Sequence, residues 1–196
     1  MNVEQKKLYI IGGCNGAGKT TASFNILPDL LNCKEFVNAD EIARGLSPFQ
    51  PEKVSIEAGR LMLSRIDELL KSQKDFSFET TLSTRSFVST IKKAREKEYY
   101  ITLIFFWLDS IQLAKDRVKK RVAEGGHNIE EKVIERRYTS GISNLFKLYV
   151  SKVDSLLIYD NSNIESELIA EKELNGEFVI HQPTKFNQLK TIANEQ

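Results

Sequence analysis

Short apolar runs alternate with helical patterns along this chain, and their order predicts an α/β sheet before any chemistry is considered. Residues 8–11 form an apolar run that stops at a Gly-rich segment, and residues 20–27 read as a helix closed by Pro28. A second strand fits residues 35–38, with Asp40 just past its end. Pro51 suits the first turn of a helix, and Val54, Ala58, Leu61, Met62, Ile66, Leu69 and Leu70 recur at helical spacing through Leu70. Residues 75–79 read as a third strand and about 86–97 as a helix. Residues 100–108 form a fourth strand, apolar on both faces as a parallel strand covered by helices is. Helices over 110–124 and about 130–149 flank Gly125-Gly126, and 155–159 supplies a fifth strand. Five alternations of strand and helix favour a five-stranded, mainly parallel, right-handed βαβ sheet with helices on both faces. Beyond it, 168–174 and 177–181 flank Asn175-Gly176, a strong hairpin signal, and a C-terminal helix is expected around 185–193. No repeat, low-complexity stretch or linker divides the chain. A single domain is expected over 1–196, with its core at about 7–161 and the hairpin and last helix, about 166–194, as an appendage.

Composition narrows the function classes. The 196 residues are 41% hydrophobic and 28% charged, which suits a globular protein. The 28 basic and 27 acidic residues nearly cancel, so the overall field points to neither nucleic acid nor anionic membrane as a partner. The longest apolar run, 101–108, is far short of the roughly 20 residues that a membrane helix needs. Residues 1–7 are polar and lead into only four apolar residues, too few for a signal peptide, so a cytoplasmic location is expected. Cys14 and Cys33 have no metal or redox spacing and read as reduced bystanders.

The chemistry is concentrated after the first strand. Gly13, Cys14, Asn15, Gly16, Ala17, Gly18, Lys19 and Thr20 fit G-x-x-x-x-G-K-[ST], and Thr21 follows. In this pattern backbone N–H groups wrap phosphates, the Lys reaches the β/γ oxygens and the hydroxyl ligates Mg²⁺. The bare pattern arises by chance in on the order of one chain in a hundred of this length, and its place between strand and helix lowers that further by setting a helix N-terminus against the anion. ATP and Mg²⁺ are therefore the expected ligands. Asp40, at the carboxyl end of the second strand, either accepts a proton from an attacking hydroxyl or caps the helix that begins at Glu41. Glu79, with Thr80 and Thr81, ends the third strand in the same crevice, where it serves the acceptor, a metal-bound water or nothing beyond the strand end. Arg85 falls on the same acceptor side.

From Lys115 to Arg137 there are eight Lys/Arg against five Asp/Glu, on two helices joined by Gly-Gly-His-Asn, which suits a mobile lid. Phosphoryl transfer needs cations on the transferred group, so at least one of Arg121, Arg136 and Arg137 is expected to act there. His127 reads as a polar turn residue. Asp109 closes the fourth strand and either holds Mg²⁺ through water or caps the next helix.

Together, Gly-Gly-Cys-Asn-Gly-Ala-Gly-Lys-Thr-Thr at 12–21, Val-Asn-Ala-Asp at 37–40, Phe-Glu-Thr-Thr-Leu at 78–82 and Gly-Gly-His-Asn-Ile at 125–129 resemble small members of the zeta toxin family of P-loop kinases. The resemblance spans roughly residues 9–161. It implies ATP/Mg²⁺-dependent phosphorylation of a sugar hydroxyl, in the best-known members that of UDP-N-acetylglucosamine, with an antitoxin protein as a candidate partner. By motif position it makes Lys19 and Thr20 the ATP and Mg²⁺ residues, Asp40 the general base, and Glu79 and Thr81 acceptor-site residues. Arg121 and Arg136 correspond to the lid arginines, with Arg117 and Arg137 as near alternatives. Thr80 and Leu82 stand where larger members tend to carry glycines. The function expected is a small-molecule kinase with an alcohol acceptor, a nucleotide sugar first; a kinase of another metabolite or nucleotide, and an ATP-dependent switch whose hairpin recruits a partner, are the alternatives.

Overall fold

The computed structural model describes residues 5–28, 31–126 and 128–195. His127 and residues 1–4 of the polar leader lie outside the described residues. The strands are β1 (Lys7–Gly12), β2 (Phe36–Val37), β3 (Phe76–Thr80), β4 (Tyr100–Trp107), β5 (Ser155–Asp160), β6 (Glu167–Glu173) and β7 (Val179–Ile180). The helices are α1 (Lys19–Ile26), α2 (Ala39–Leu46), α3 (Ser55–Lys71), α4 (Phe87–Glu96), α5 (Ile111–Ala123), α6 (Glu131–Asn144) and α7 (Pro183–Asn194). A 3-10 turn, Pro51–Val54, precedes α3, and a π-helical turn, Leu145–Tyr149, continues α6.

Among the described residues the strands make one sheet in the order β2-β3-β1-β4-β5-β6-β7, with the first five parallel. Successive residues Leu8 to Ile11 and Leu103 to Trp107 are all buried, so both faces of the central strands are covered. This is the burial expected when crossover helices flank a parallel sheet. From β1 the chain runs to β2 at the sheet edge, returns to β3 beside β1 and then crosses to β4 on the other side of β1, and the crevice at such a reversal of strand order is where open α/β sheets bind ligands. No helix among the described residues is long and apolar enough to cross a membrane.

Two expectations change. The hairpin is no appendage, because β6 pairs antiparallel with β5 from Ser155↔Glu173 to Asp160↔Glu167 and so extends the sheet. Its turn does form at Asn175, which takes a left-handed φ of 59°, while the Gly176 N–H donates to the Glu173 carbonyl at 3.0 Å. On α3, Leu61 stays 43% exposed although it shares the apolar period, since Ala58, Met62, Ile66, Leu69 and Leu70 already complete the buried face.

Polar contacts lock the second half of the chain onto the sheet. Trp107 Nε1–H donates to the Tyr138 hydroxyl at 3.0 Å, which donates to the Leu108 carbonyl at 2.7 Å, pinning α6 to the end of β4. α6 also grips the segment after β3. Gly141 lies so close that a Cβ there would stand 2.6 Å from the Thr81 carbonyl oxygen. Beside it, Asn144 Nδ2 donates to the Leu82 carbonyl at 2.7 Å, and the Tyr149 hydroxyl donates to that of Thr84 at 2.7 Å. Leu82 itself is fully buried with φ at 54°, a conformation that costs a branched residue and persists where neighbours hold it.

At the far edge, Lys185 of α7 pairs with the buried Asp160 carboxylate at 2.7 Å and also with Glu167. Burial alone would raise the Asp160 pKa, but hydrogen bonds from Lys185 and Ser162 outweigh it and hold the group below the usual carboxylate value. A depressed folded pKa contributes stability that is present above the unfolded value, near 3.9, and is lost as pH falls through the folded value.

Lys185→Met is expected to lower unfolding free energy by about 2 kcal/mol at neutral pH, less than for a fully buried pair because Lys185 is 28% exposed. It should also move the acid unfolding transition to higher pH, read by circular dichroism; an unchanged acid limb would refute the pairing. Asn144→Ala is expected to cost about 1–2 kcal/mol and to speed amide hydrogen exchange in residues 80–86 while leaving β1 protected.

Candidate active site

β1 ends at Gly12 and α1 begins at Lys19, so the loop between them lies at the carboxyl edge of the sheet, in the crevice beside β3 and β4. Gly16 adopts φ 81°, and a Cβ there would sit 2.8 Å from the Ala114 carbonyl oxygen of α5, so a side chain is excluded by both conformation and space. The loop is braced from beneath. Asn161 Nδ2 donates to the Ala17 carbonyl at 2.7 Å, and Arg117 donates to the carbonyls of Asn161 and Ser162, each at 2.8 Å. Burial pushes the Cys14 thiol up to about 11, which leaves it a neutral packing group. The first turn of α1 carries no acidic side chain, so the positive end of the helix dipole faces the crevice uncompensated.

One carboxylate organises what surrounds the loop. Glu79, near the end of β3, accepts from the Thr20 hydroxyl at 2.7 Å and from Asn38 Nδ2 at 2.8 Å, and its other oxygen lies 3.4 Å from Lys19 Nζ. Lys19, itself buried, also donates to the Cys14 carbonyl at 2.9 Å. The opposite end of the Asn38 amide is occupied as well. Its Oδ1 accepts the N–H groups of Asp40 at 2.8 Å and Glu41 at 3.3 Å, making Asn38 the N-cap of α2. Of the two expectations for Asp40, the capping one is thereby filled by another residue. Asp40 sits in the first turn of α2 and faces the crevice.

Of the hollows that open there, two share the P-loop lysine. The first, about 460 Å³, is lined by the P-loop residues Asn15, Gly16, Gly18, Lys19, Thr20 and Thr21, with Arg117 and Arg121 from α5 on its far side. Ala17 is fully buried within the loop, and Gly13, with φ 142°, lies outside the lining. The second hollow, about 490 Å³, runs between α3 and the segment after β3 and is lined by Thr80, Thr81, Ser83 and Thr84. Asn15, Lys19, Asp40 and Glu79 line both. The Thr80 hydroxyl accepts the Leu82 N–H at 3.1 Å, and the hydroxyls of Thr81 and Ser83 are 2.8 Å apart, so the hydroxyl-rich wall is tied to itself.

The remaining sequence candidates divide. Arg137, the near alternative, lines the second hollow and donates to Asn15 Oδ1 at 3.1 Å. Burial pulls its pKa below the usual guanidinium value, and the negative charge of Asp40 opposes that. Arg136 is exposed and lines neither hollow, being about 100° around the helix from its neighbour. Arg85 is exposed and also lines neither. Asp109 is exposed at the start of the β4–α5 connection, where it accepts from Ser110 Oγ at 3.0 Å; Ser110 is the N-cap of α5, and the carboxylate on Thr20 is Glu79. Sequence reasoning assigned no role to Asn38, although an Asn directly before an acid-rich helical turn is an N-cap signal. It also passed over the face of α3 that lines the second hollow.

Comparison with known proteins bears on this arrangement. The family model described as Zeta toxin matches residues 1–173. An uncharacterized protein of Haemophilus influenzae is 33% identical over 137 residues, 69% of this chain and 95% of that protein. Among solved structures, the chain is similar to one in the AvrRxo1-ORF1:AvrRxo1-ORF2 complex with sulphate ions, at TM-score 0.76 and 17% identity over 94% of this chain and 63% of the other. The same complex with ATP gives a TM-score of 0.73 at 17% identity, again over 94% and 63%. A chain of the PezAT toxin–antitoxin system of Streptococcus pneumoniae gives 0.66 at 16% identity, covering all of this chain and 88% of that one. The chain thus spans less than two thirds of the length of the AvrRxo1 complex chain it matches. At these identities the structural likeness establishes the fold. With the family model spanning residues 1–173 of a 196-residue chain, the protein belongs to the zeta toxin family.

Proposed function

We propose that the protein is an ATP- and Mg²⁺-dependent kinase that transfers the γ-phosphoryl group to a hydroxyl of a small molecule, a nucleotide sugar such as UDP-N-acetylglucosamine being the first candidate. The observation that carries this reading is the junction: Asn15, Lys19, Asp40 and Glu79 line both the P-loop hollow and the hydroxyl-rich one, so a donor in the first and an acceptor in the second would meet at Asp40. A switch that only binds nucleotide has no need of a second hollow or of a carboxylate between them.

In this reading the loop N–H groups and the N-terminus of α1 hold the triphosphate, and Lys19 turns its ammonium from Glu79 to the phosphate oxygens. The acceptor hydroxyl gives its proton to Asp40 as its oxygen bonds to the γ-phosphorus and the bond to the ADP oxygen breaks. Arg121 of α5 and Arg137 of α6 flank the two hollows and supply the positive charge that the transferred group requires. The Thr20 hydroxyl and Glu79 carboxylate, 2.7 Å apart, are hard oxygen donors of the kind that hold Mg²⁺ beside phosphate oxygens and water, so these residues fit the ion. When bound, Mg²⁺ would neutralise phosphate charge. Asp109 has no part in this, and Arg136 yields its lid role to Arg137.

Family membership and the likeness to the AvrRxo1 complex with ATP support the nucleotide, and the PezAT likeness supports an antitoxin protein as a partner. The near-neutral net charge of +1 supports a small-molecule acceptor over nucleic acid or a membrane surface, and a cytoplasmic setting belongs to the same reading.

ADP release measured against a panel of UDP-sugars, nucleosides and free sugars tests the reading. Asp40→Asn is expected to bind ATP yet lose about 10²- to 10⁴-fold in acceptor-dependent turnover, and Lys19→Ala to lose both binding and turnover. Full turnover in Asp40→Asn would remove the assigned base, and hydrolysis that no acceptor stimulates would favour a plain ATPase or a switch. In the same assay Arg121→Ala or Arg137→Ala is expected to cost about 10³-fold, and Arg136→Ala less than about tenfold.

A further inference from the structure

Gly59 lies in the middle of α3, where glycine is the least favourable residue after proline. Two ordinary reasons for a helical glycine fail here. Its φ is not positive, so the backbone does not require it, and a Cβ built on it would meet no atom within 4 Å beyond its chain neighbours and the nearby backbone of its own helix, so packing does not require it either. The direction in which it opens is the second hollow, which Gly59 lines together with Ile56, Arg60 and Leu63. These four stand at i, i+3, i+4 and i+7, a single helical face.

That face is poorly explained by the fold alone. Ile56 is 74% and Leu63 43% exposed, which leaves much of their apolar surface uncovered. Across from them, Phe87 lines the same hollow with its ring stacked on the fully buried Phe78 at 4.7 Å and 25°, which gives a backed aromatic surface. Among the described residues Arg60 makes no hydrogen bond or ion pair, so its guanidinium is uncommitted beside an apolar slot.

We propose that Gly59 is a specificity-determining residue of the acceptor hollow: its missing side chain makes the room in which a flat ring of the acceptor lies between Ile56, Leu63 and Phe87, with an anionic group of the same molecule on Arg60. This rests on the kinase reading, in that the ligand's reactive hydroxyl would reach Asp40 at the shared junction. It goes beyond that reading by placing the acceptor's far end on α3 and giving that end a chemistry.

Gly59→Ala, Gly59→Leu and Arg60→Gln test it, with Gly45→Ala as the control. Gly45 is also helical, also has nothing within 4 Å of its absent Cβ, and lines neither hollow. Both glycine-to-alanine changes are expected to raise Tm by about 2–4 °C. ATP affinity, titrated without acceptor, should stay at the wild-type value throughout. The acceptor KM should rise about tenfold or more in Gly59→Leu, less in Gly59→Ala, and not at all in Gly45→Ala. An unchanged KM in Gly59→Leu overturns the inference while leaving the kinase reading intact. If no acceptor stimulates the wild type, the kinase reading falls, and thermal shift decides the inference with phenyl phosphate, uridine and glucose 6-phosphate as probes. Phenyl phosphate, which joins a flat ring to an anion, should stabilise wild type and Gly45→Ala more than either other probe does, and should lose its effect in Gly59→Leu and Arg60→Gln. Equal shifts for all three probes, none at all, or shifts that survive in Gly59→Leu, would refute it.

Discussion

The carboxylate of Glu79 is the interaction on which the rest of the site depends. A single group near the end of β3 balances the charge of buried Lys19, takes the hydroxyl proton of Thr20 in a hydrogen bond and receives the amide of Asn38. Removing it would leave a buried ammonium with one carbonyl partner, a far larger penalty than a lost surface contact. Because Asn38 spends its other amide end on the N–H groups of Asp40 and Glu41, the same carboxylate also sets where α2 starts. A strand end, a phosphate loop and a helix cap are thus held by one residue, and Asp40 takes its position from that chain of contacts.

α6 performs a comparable service on the other side of the crevice. Through Arg137 it touches Asn15 of the loop, through Gly141 and Asn144 it holds the segment at Thr81 and Leu82, and through Tyr138 it is anchored to β4. Beyond its end, Phe146, Phe178 and Phe186 gather around Lys190, whose ammonium lies 4.5 Å from the Phe146 ring centre. The C-terminal strands and α7 therefore brace the helix that braces the crevice. Cation–π contacts and ring burial at that point support the site from a distance without lining it.

Much of this was legible in the sequence, and what was not has definite physical reasons. The apolar runs of β1, β4 and β5 located the middle of the sheet, because a strand buried on both faces is largely apolar, while β2 and β3 followed from their places in the alternation with helices. The P-loop stood out because no other backbone chemistry demands that set of small residues before a lysine. Strand order, by contrast, is a property of crossovers and not of any local pattern, and the union of β6 with β5 depended on pairing that a hairpin signal does not specify. Leu61 kept the helical period yet lies exposed, since the period does not say how wide the buried stripe is. Arg136 and Arg137 are adjacent, so a shift of one residue in helical phase decided which one faces inward. Asn38 went unassigned because its role joins two elements distant in sequence, and Gly59 because the value of an absent side chain appears only when the space around it is known.

The sheet ends in two-residue strands on both sides, Phe36–Val37 at one edge and Val179–Ile180 at the other. A visiting chain would find only a few open peptide groups to pair with at either margin. The molecule is thereby shielded from runaway strand-by-strand polymerisation, even though its interior is built from the kind of continuous apolar strand that, left uncovered, seeds fibres.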